Sequence, residues 1–422
     1  MSGTLLIDAA PRPAVSPAFV ERAALAAFVA YLGSVFISFL IEGDVAIGDR
    51  GVLGGDFLAF YAASLGARSG EAAAMYDVTV FEAVLRGVVE LPEYGLWWQY
   101  PPPVFALVAP LSFLPYPAAY AVWIGGTFAL FAGALRLAGL KRRLLIVSAA
   151  SPLALITITQ GQIALLTGAL LVLAAGCVRT RPVLAGVCAG LLIIKPQLAV
   201  LLPVAYAAAG CWRAFAAAAA TVAVALAAST LAYGVDIWPP FFEAVARLNA
   251  DISGPRSVAP LDNMATPMAT LMSWGVPAGL ARLAHGSAAI AIAAFVGWVW
   301  RRRGADDLAA ATLCAGAVLV TPYAYAYELV LLGFPCAVIA ARAAASGWLR
   351  GEREALALGW IAAMAYGLWA HAEGWPVAFG IALACFTLVV RRAVGRRRPS
   401  RRRPAAPQDE PSFRLKHAPN SS

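Results

Sequence analysis

Long apolar runs recur along the chain and constrain its fold more than any other feature. A helix that crosses a bilayer needs about 20 apolar residues. Hydrophobic residues make up 61% and charged residues 13% of the chain, against about 45–50% and about 25% in soluble domains. This composition excludes a water-soluble protein, and we predict an all-α polytopic membrane protein. The runs lie at 23–41, 101–115, 117–139, 144–158, 163–178, 182–194, 196–210, 214–234, 277–300, 308–321, 326–345, 355–371 and 375–390.

Several of these runs are shorter than a straight membrane span, and several are interrupted by Pro or Gly. Broken apolar segments of this kind are tolerated where they line a polar cavity within the protein. Pro101-Pro102-Pro103 at the start of the second run favours a half-helix that enters the membrane and returns. We therefore expect about 12 transmembrane helices and a re-entrant piece at 101–115.

Basic and acidic residues are separated along the chain. Basic turns at 141–143, 179–181, 212–213, 301–303 and 350–353 are typical of cytoplasmic loops. Acidic residues concentrate in 42–99 and 235–276, which we interpret as external loops. The predicted organisation is a cytoplasmic segment at 1–22, a transmembrane domain at 23–390 and a cytoplasmic tail at 391–422.

The tail and the external loops have contrasting patterns. Ten of the 32 Lys and Arg residues lie beyond Val390 in a Pro-rich segment, which predicts a disordered tail that binds anionic lipids. It has no aromatic platform for nucleic acid. In the first external loop, 57–68 and 77–90 have the spacing of amphipathic helices that lie on a membrane surface, and 236–250 in the second loop is similar.

Asp56, in GGDFLAFYAAS, is the first candidate for a chemical role. A carboxylate at the membrane–water boundary, ahead of an aromatic helix, could act as a general base over a lipid-level pocket. The structural alternative is an N-cap, in which the carboxylate accepts hydrogen bonds from the free N–H groups of the following helix.

Lys195, in LLIIKPQLAVLLP, is the second candidate. An unpaired ammonium within a membrane costs roughly 2.5–3.5 kcal/mol on insertion scales, so such a residue is a functional hypothesis by default, and phosphate is a natural partner. The alternatives are a structural ion pair, for example with Glu328, or a side chain that extends to the interface.

Glu328 is the third candidate, in VTPYAYAYELVLLGFP. An acid among the hydroxyls of Tyr323, Tyr325 and Tyr327 could bind sugar hydroxyls. The alternative is a helix-capping acid within an ordinary interfacial aromatic belt.

The weaker candidates are Gln162 in a QGQ turn, Tyr100 in WWQYPP, and Arg256 in the second external loop, which could contact a head group. The cysteines and histidines are scattered, so no zinc site or disulfide framework is indicated. The motifs of nucleotide-binding and metal-dependent hydrolytic sites are absent from the sequence, and neither a cofactor nor a metal is implied, although Asp56 and Glu328 could hold a metal ion if the two converge.

The order of these motifs resembles glycosyltransferase family 87 of the GT-C superfamily. The matching stretches over roughly residues 50–345 are GGDFLAFYAAS…MYD, YPPPVFALVAPLSFLPYPAAYAVW, GQIALLTGALL, RPVLAGVCAGLLIIKPQLAVLLP followed by WRA, and TPYAYAYELVLL. The resemblance implies a GT-C-like bundle and an inverting transfer of a hexose, with mannose favoured, from a polyprenyl-phosphate donor. The acceptor would be a hydroxyl of a lipid or envelope glycan on the outer face of a bacterial inner membrane.

The resemblance also implies roles for individual residues. Asp56 matches the catalytic acid of the first external loop, while Lys195 and Gln162 match the KP and GQ positions. The TPY segment departs from the better-known mannosyltransferases, which have a histidine nearby, and reads Tyr323-Ala324-Tyr325-Ala326-Tyr327-Glu328 here. We expect Glu328, Tyr100, Tyr323, Tyr327 and Arg256 to bind substrate together with Lys195 and Gln162.

Two other functions stay open at the level of sequence. A transporter or flippase of a lipid-linked sugar would account for an intramembrane lysine and broken helices, but the two halves of the chain contain no convincing repeat. A scaffold recruited through its tail would account for the arginines but not for the buried charges.

Overall fold

The computed structural model describes residues 17–42, 54–89, 96–253, 261–368 and 376–395. These residues form helices and no strand, apart from an isolated antiparallel bridge between Met264 and Tyr325. The α-helices of the described residues are α1 Pro17–Glu42, α2 Phe57–Arg68, α3 Val78–Val88, α4 Pro103–Val108, α5 Tyr116–Leu137, α6 Arg142–Ala149, α7 Pro152–Thr159, α8 Ala164–Gly176, α9 Pro182–Leu191, α10 Leu201–Ala208, α11 Trp212–Tyr233, α12 Trp238–Ser253, α13 Pro267–Ser273, α14 Ala278–Arg303, α15 Asp307–Val320, α16 Gly333–Ser346, α17 Glu352–Leu368 and α18 Val377–Val394.

The described part of each predicted apolar run is mostly helical, and the all-helical class is confirmed for the described residues. Within the described ranges, 5 helices are long and apolar enough to cross a membrane, or up to 6 if the pair α6 and α7, bent by 43°, is one span. Other apolar helices are only 10–17 residues long. The count of 12 spans therefore stays a prediction. The 5 long helices are α5, α11, α14, Ala326–Ser346 and α18.

The second apolar run is a short broken helix rather than a straight span. It consists of α4 followed by the 3₁₀ helix Ala109–Phe113. Its end is attached to α2, because the Tyr61 hydroxyl donates to the Leu114 carbonyl at 2.9 Å and Arg68 donates to the Ser112 carbonyl at 3.0 Å. Its re-entrant character stays a prediction.

Ion pairs hold the Arg-bearing termini of several helices together on one side of the bundle, which we call the basic end. Arg303 pairs with Asp306 at 2.8 Å and donates to the Ala393 carbonyl at 3.2 Å, which joins α14 to α18. The Arg342 guanidinium at the end of α16 pairs with Asp307 at the start of α15. The ends of distant segments are thus held side by side, as expected if the basic turns lie on one side of a membrane.

Three helical hairpins start and finish at the basic end and turn at the opposite end. The first comprises α6, α7 and α8 and turns at 160–162. The second comprises α9, the 3₁₀ helices Leu192–Ile194 and Pro196–Ala199, and α10, and it turns at Lys195. The third comprises α15, the 3₁₀ helix Ala326–Leu332 and α16, and it turns at 321–325. The candidate residues of all three segments therefore lie at hairpin turns.

Two glycines bring the second hairpin against α11. Gly186 and Gly190 are four residues apart, so they lie on the same face of α9. A Cβ atom on Gly190 would lie 2.5 Å from Thr221 Cβ and 2.7 Å from the Ala218 carbonyl oxygen. Small residues at this spacing allow the close helix approach that is typical of membrane proteins. This contact between α9 and α11 fixes the position, along the long axis of the bundle, of the turn that contains Lys195.

The helices expected in the external loops are present as α2, α3 and α12. The position expected for α2 was wrong, because most of this helix is buried within the protein rather than laid on a membrane surface. Phe57 packs its ring edge against the rings of Tyr116 and Tyr120 at centroid distances of 5.2 and 5.4 Å. Tyr116 and Tyr120 of α5 therefore cover a face of α2 that was expected to contact lipid. The first four residues of the predicted tail, 391–394, are the end of α18, and the rest of the tail beyond Gly395 lies outside the described residues.

Candidate functional site

The GGD and QGQ turns pack directly against each other. Gly54 and Gly161 have φ values of +79° and +64°, which glycine adopts readily and other residues avoid. A Cβ atom on Gly161 would collide with the Gly54 carbonyl oxygen and with Phe57 Cβ. The two backbones therefore touch only because this position is glycine, and the contact places Asp56 beside Gln162.

The Asp56 carboxylate is partly buried and is held by a single side chain among the described residues. Gln162 Nε2 donates to Asp56 Oδ2 at 2.5 Å. Asp56 occupies the N-cap position of α2, but its side chain makes no capping hydrogen bond, so the structural alternative is wrong. Burial raises the pKa of Asp56 above its ordinary value of 3.8, although the Gln162 hydrogen bond and the Lys195 charge lower it.

The Gln162 amide is fixed by the groups on its oxygen. Gln162 Oε1 accepts from the Ile163 backbone N–H at 3.3 Å and from the Tyr100 hydroxyl at 3.0 Å. A backbone N–H can only donate, so the oxygen must face Ile163 and the nitrogen must face Asp56. Tyr100 is held in turn because its carbonyl accepts from the Tyr76 hydroxyl at 2.7 Å.

Lys195 leaves the helical path because Pro196 follows it. A residue before proline is disfavoured in the helical region, and Lys195 adopts φ −149° and ψ 70°. Its ammonium pairs with Glu328, and the two side chains are 8% and 0% exposed. The rings of Tyr100 and Tyr327 flank the ammonium at 5.9 and 5.1 Å. A cation between aromatic faces is stabilised by their quadrupoles.

Glu328 forms the ion pair that was the structural alternative for Lys195, and it also caps a helix, which was its own structural alternative. It is the ion-pair partner of Lys195, and its Oε2 accepts from the Tyr325 backbone N–H at 2.6 Å at the start of a 3₁₀ helix. The neighbouring Tyr327 carbonyl accepts from the Thr157 hydroxyl at 2.7 Å, which joins the first and third hairpins. Both contacts fix the carboxylate relative to the two hairpin turns.

The structure brings most of the predicted site residues together at the end opposite the basic end. We call this group the charged cluster. Its members are Asp56, Tyr100, Gln162, Lys195, Tyr327 and Glu328. Tyr323 is placed apart, in the wall of a neighbouring pocket. Arg256 lies outside the described residues.

The sequence analysis did not identify every group that supports the site: it missed Thr157 and Trp123, and it named Tyr325 only for its hydroxyl. Thr157 and Tyr325 support the turn that carries Glu328, and the Tyr325 and Tyr327 rings stack at 5.5 Å. Trp123 Nε1 donates to the Gly161 carbonyl at 3.0 Å and so fixes the QGQ turn. The paired glycine turns were the signal available in the sequence, because a glycine beside each polar candidate suggests a close backbone approach.

The charged cluster combines a buried carboxylate, a buried ammonium and aromatic walls, so it can accept a proton at one point and bind an anion nearby. Among the described residues, no group of three or more His, Cys, Asp or Glu side chains is placed to hold a metal ion.

Comparison with known families identifies a family to which the chain is similar. The model of glycosyltransferase family 87 matches residues 98–322, which is more than half of the chain. The matched range contains Tyr100, Gln162 and Lys195, and it is narrower than the range of the resemblance noted in the sequence. No curated protein and no solved structure matches the chain.

Proposed function

Because the chain belongs to glycosyltransferase family 87, we propose that it transfers a hexose, with mannose favoured, from a polyprenyl-phosphate donor to a hydroxyl group. Membership of this family means that the chain is a membrane glycosyltransferase, which uses a sugar donor and an acceptor. The acceptor in this proposal is a lipid or an envelope glycan, and the transfer inverts the configuration at the anomeric carbon.

One observation carries the proposal. Three hairpin turns and the first loop bring charged groups to the same end of the bundle. These groups are the Asp56 carboxylate, the Lys195 ammonium and the Glu328 carboxylate beside Tyr327. Burying charged groups is costly, and perturbed buried groups concentrate at functional sites. A chain that only needed to fold in a membrane would not require these charges.

Asp56 is the proposed general base. Gln162 holds Oδ2, whereas the described residues provide no hydrogen bond to Oδ1. In the proposed step, Asp56 Oδ1 accepts the proton of the acceptor hydroxyl while the acceptor oxygen bonds to the anomeric carbon. The bond from that carbon to the phosphate oxygen breaks, and its electron pair leaves with the polyprenyl phosphate. Attack opposite the leaving group gives inversion.

Lys195 is the proposed contact for the departing phosphate. A preorganised cation stabilises charge that develops on a leaving group, and burial strengthens this effect. Glu328 positions the ammonium, and Tyr100 and Tyr327 form walls around it. Tyr323 and Arg256 are proposed as further substrate contacts, and no metal or cofactor enters the proposed step.

The proposed location is a bacterial inner membrane, with the charged cluster on the periplasmic or extracellular side. The separation of the ion-paired basic end from the acid-rich loops supports this orientation. The Arg-rich tail would then lie at the cytoplasmic surface and bind anionic lipids.

The test is sugar transfer in membranes that contain the full chain, with synthetic polyprenyl-phosphate mannose as donor. We expect the label to move to an extractable lipid or glycan, and membranes without the chain provide the control. A flippase of lipid-linked sugars is the competing function, favoured by the buried Lys195. No transfer from any polyprenyl-phosphate sugar, together with movement of the labelled lipid across vesicles, would replace our proposal with that function.

A further inference from the structure

A cavity of about 160 Å³ lies between the bent pair α6 and α7 and the helices α16, α17 and α18. We call it the apolar pocket. Its walls are almost entirely hydrocarbon, and many of the residues that line it are alanine or glycine, whose small side chains leave the space open. An engineered cavity of about 150 Å³ with apolar walls stays dry and binds benzene. The apolar pocket is therefore large enough for a segment of hydrocarbon chain.

The hydroxyl groups in the wall of the apolar pocket, those of Ser148 and Ser151, are already engaged with the protein. Ser148 donates to the Gly333 carbonyl at 3.1 Å, and Ser151 accepts from the Ala154 backbone N–H at 3.3 Å. A buried water needs two to four polar partners, and these two hydroxyls do not provide such a set. The pocket thus favours an apolar ligand over water or a polar one.

The apolar pocket extends from near the basic end towards the middle of the bundle. On α17 it is lined from Ala355 to Ala363, which is about 12 Å at 1.5 Å per residue. The helix α17 starts at the basic end, because Glu352 at its start pairs with Arg392 at the end of α18. The hydrocarbon core of a bilayer is about 30 Å thick, so one leaflet contributes about 15 Å. The depth of the pocket therefore matches an acyl chain in the leaflet at the basic end.

Exposed arginines lie next to the basic-end margin of the apolar pocket. Arg143 directly precedes Leu144, Arg353 lies two residues before Ala355, and both Leu144 and Ala355 line the pocket. Arg353 is exposed and has no ion-pair partner among the described residues, whereas Arg143 pairs with Glu21 at 3.4 Å and is 63% exposed. Exposed ion pairs contribute little, so both guanidiniums are available to a phosphate. Basic pockets between membrane helices bind anionic head groups.

We infer that the apolar pocket and the two arginines form a binding site for an anionic phospholipid. One acyl chain occupies the pocket, and Arg143 and Arg353 contact the phosphate at the basic end. Depth and charge complementarity together select this occupant, because a zwitterionic lipid of the same chain length gains less from two cations. The site lies apart from the charged cluster, and its occupancy does not depend on the proposed transfer of sugar.

Trp360 lines the apolar pocket and gives a direct readout of its occupancy. The purified full chain in neutral detergent is titrated with phosphatidylglycerol that has brominated acyl chains, which quench the fluorescence of nearby tryptophans. The difference in quenching between the wild type and Trp360→Phe separates the pocket from the other tryptophans. We expect saturable quenching of Trp360, and about thirtyfold weaker binding of brominated phosphatidylcholine, which is the contribution of two arginines near a lipid surface.

Gly359 provides a variant that fills the apolar pocket. A Cβ atom on Gly359 would meet nothing within 4 Å, so Gly359→Leu should occupy the space without a clash and weaken phosphatidylglycerol binding at Trp360 by about tenfold or more. Gly133→Leu is the matched control, because Gly133 on α5 has the same free space and lies outside the pocket. Neither variant should unfold in sodium dodecyl sulfate earlier than the wild type.

The two arginines provide a second set of variants. Arg143→Gln combined with Arg353→Gln should make phosphatidylglycerol bind as weakly as phosphatidylcholine, while the acyl chain still quenches Trp360. Arg86→Gln is the control, because Arg86 is an exposed arginine of α3, a helix that does not line the pocket. The preference for phosphatidylglycerol should be unchanged in this control.

Four results would overturn the inference. Equal quenching in the wild type and Trp360→Phe would show that no chain enters the pocket, and unchanged binding in Gly359→Leu would assign the lipid to the general surface of the bundle. A preference for phosphatidylglycerol that survives in the arginine double variant would assign anion recognition to the Arg-rich sequence beyond Gly395. Tighter binding of a polyprenyl phosphate than of phosphatidylglycerol at Trp360 would assign the pocket to an isoprenoid chain. All four results are read without sugar transfer, so they stand apart from the test of the proposed function.

Discussion

The Lys195–Glu328 pair provides a test that separates a structural role from a functional one. Both side chains are almost fully buried and pair only with each other and with the Tyr325 backbone N–H among the described residues. Removing one partner of such a pair typically costs about 3–5 kcal/mol, because the remaining charge is uncompensated. We therefore expect Lys195→Met and Glu328→Gln each to lower the free energy of unfolding by about that amount.

The double variant should behave differently in stability and in activity. Lys195→Met with Glu328→Gln removes both charges, and the amide oxygen can still accept from Tyr325. The cost should fall to about 1–3 kcal/mol, which reflects the unpaired amide N–H of the new glutamine. Sugar transfer should nevertheless stay at least tenfold below wild type, because the cation proposed for the leaving phosphate is gone.

The measurements are unfolding by sodium dodecyl sulfate in mixed micelles, followed by circular dichroism, and sugar transfer in membranes. Additive losses of stability in the double variant would show that the two charges do not act as a pair. Wild-type transfer in the stable double variant would refute the proposed role of Lys195 and leave the pair a structural one.

The remaining predictions concern the surroundings of the base and the helix contact that supports the second hairpin. Because burial raises the pKa of Asp56 and the base must be ionised, transfer should fall on the acid side with a midpoint above 3.8, and a rate that is flat down to pH 4 would contradict this. Gln162→Leu should reduce kcat/KM by about tenfold to a hundredfold through loss of a charge-assisted hydrogen bond, and wild-type kinetics would show that the amide does not position the carboxylate. Gly190→Leu should lower the unfolding midpoint by clashing with Thr221, whereas Gly126→Leu, with nothing within 4 Å, should not; equal midpoints would contradict the close contact of α9 and α11.

The sequence was sufficient to predict the helical class and to single out three candidate residues of the site. Long apolar runs identify membrane helices because lipid leaves the backbone few other ways to satisfy its hydrogen bonds. Asp56, Lys195 and Glu328 could be singled out because charges are costly in such surroundings. Their convergence was a hypothesis only, since the Lys195–Glu328 pair joins residues 133 positions apart.

The rest could not be predicted because apolar helices do not reveal which face is buried. A helix that is hydrophobic all round has no stripe that points to its neighbour. The burial of α2 within the protein and the apolar pocket beside α17 depend on such packing. Tyr325 donates a hydrogen bond through its backbone N–H, and the Thr157 hydroxyl donates to the backbone carbonyl of Tyr327. The pattern of side chains in a sequence does not reveal hydrogen bonds that involve the backbone.

The most direct test of the account is transfer from polyprenyl-phosphate mannose by Asp56→Asn. Asparagine keeps an oxygen for Gln162 Nε2 but cannot accept the acceptor proton, so transfer should fall by at least about a hundredfold. Removing a buried charge should leave the unfolding midpoint unchanged or higher. Asp77→Asn is the matched control, because Asp77 caps α3 through hydrogen bonds from Thr79 and Val80, which the asparagine oxygen can also accept, so both transfer and stability should stay close to wild type. Wild-type transfer by Asp56→Asn would contradict the central claim that Asp56 is the base.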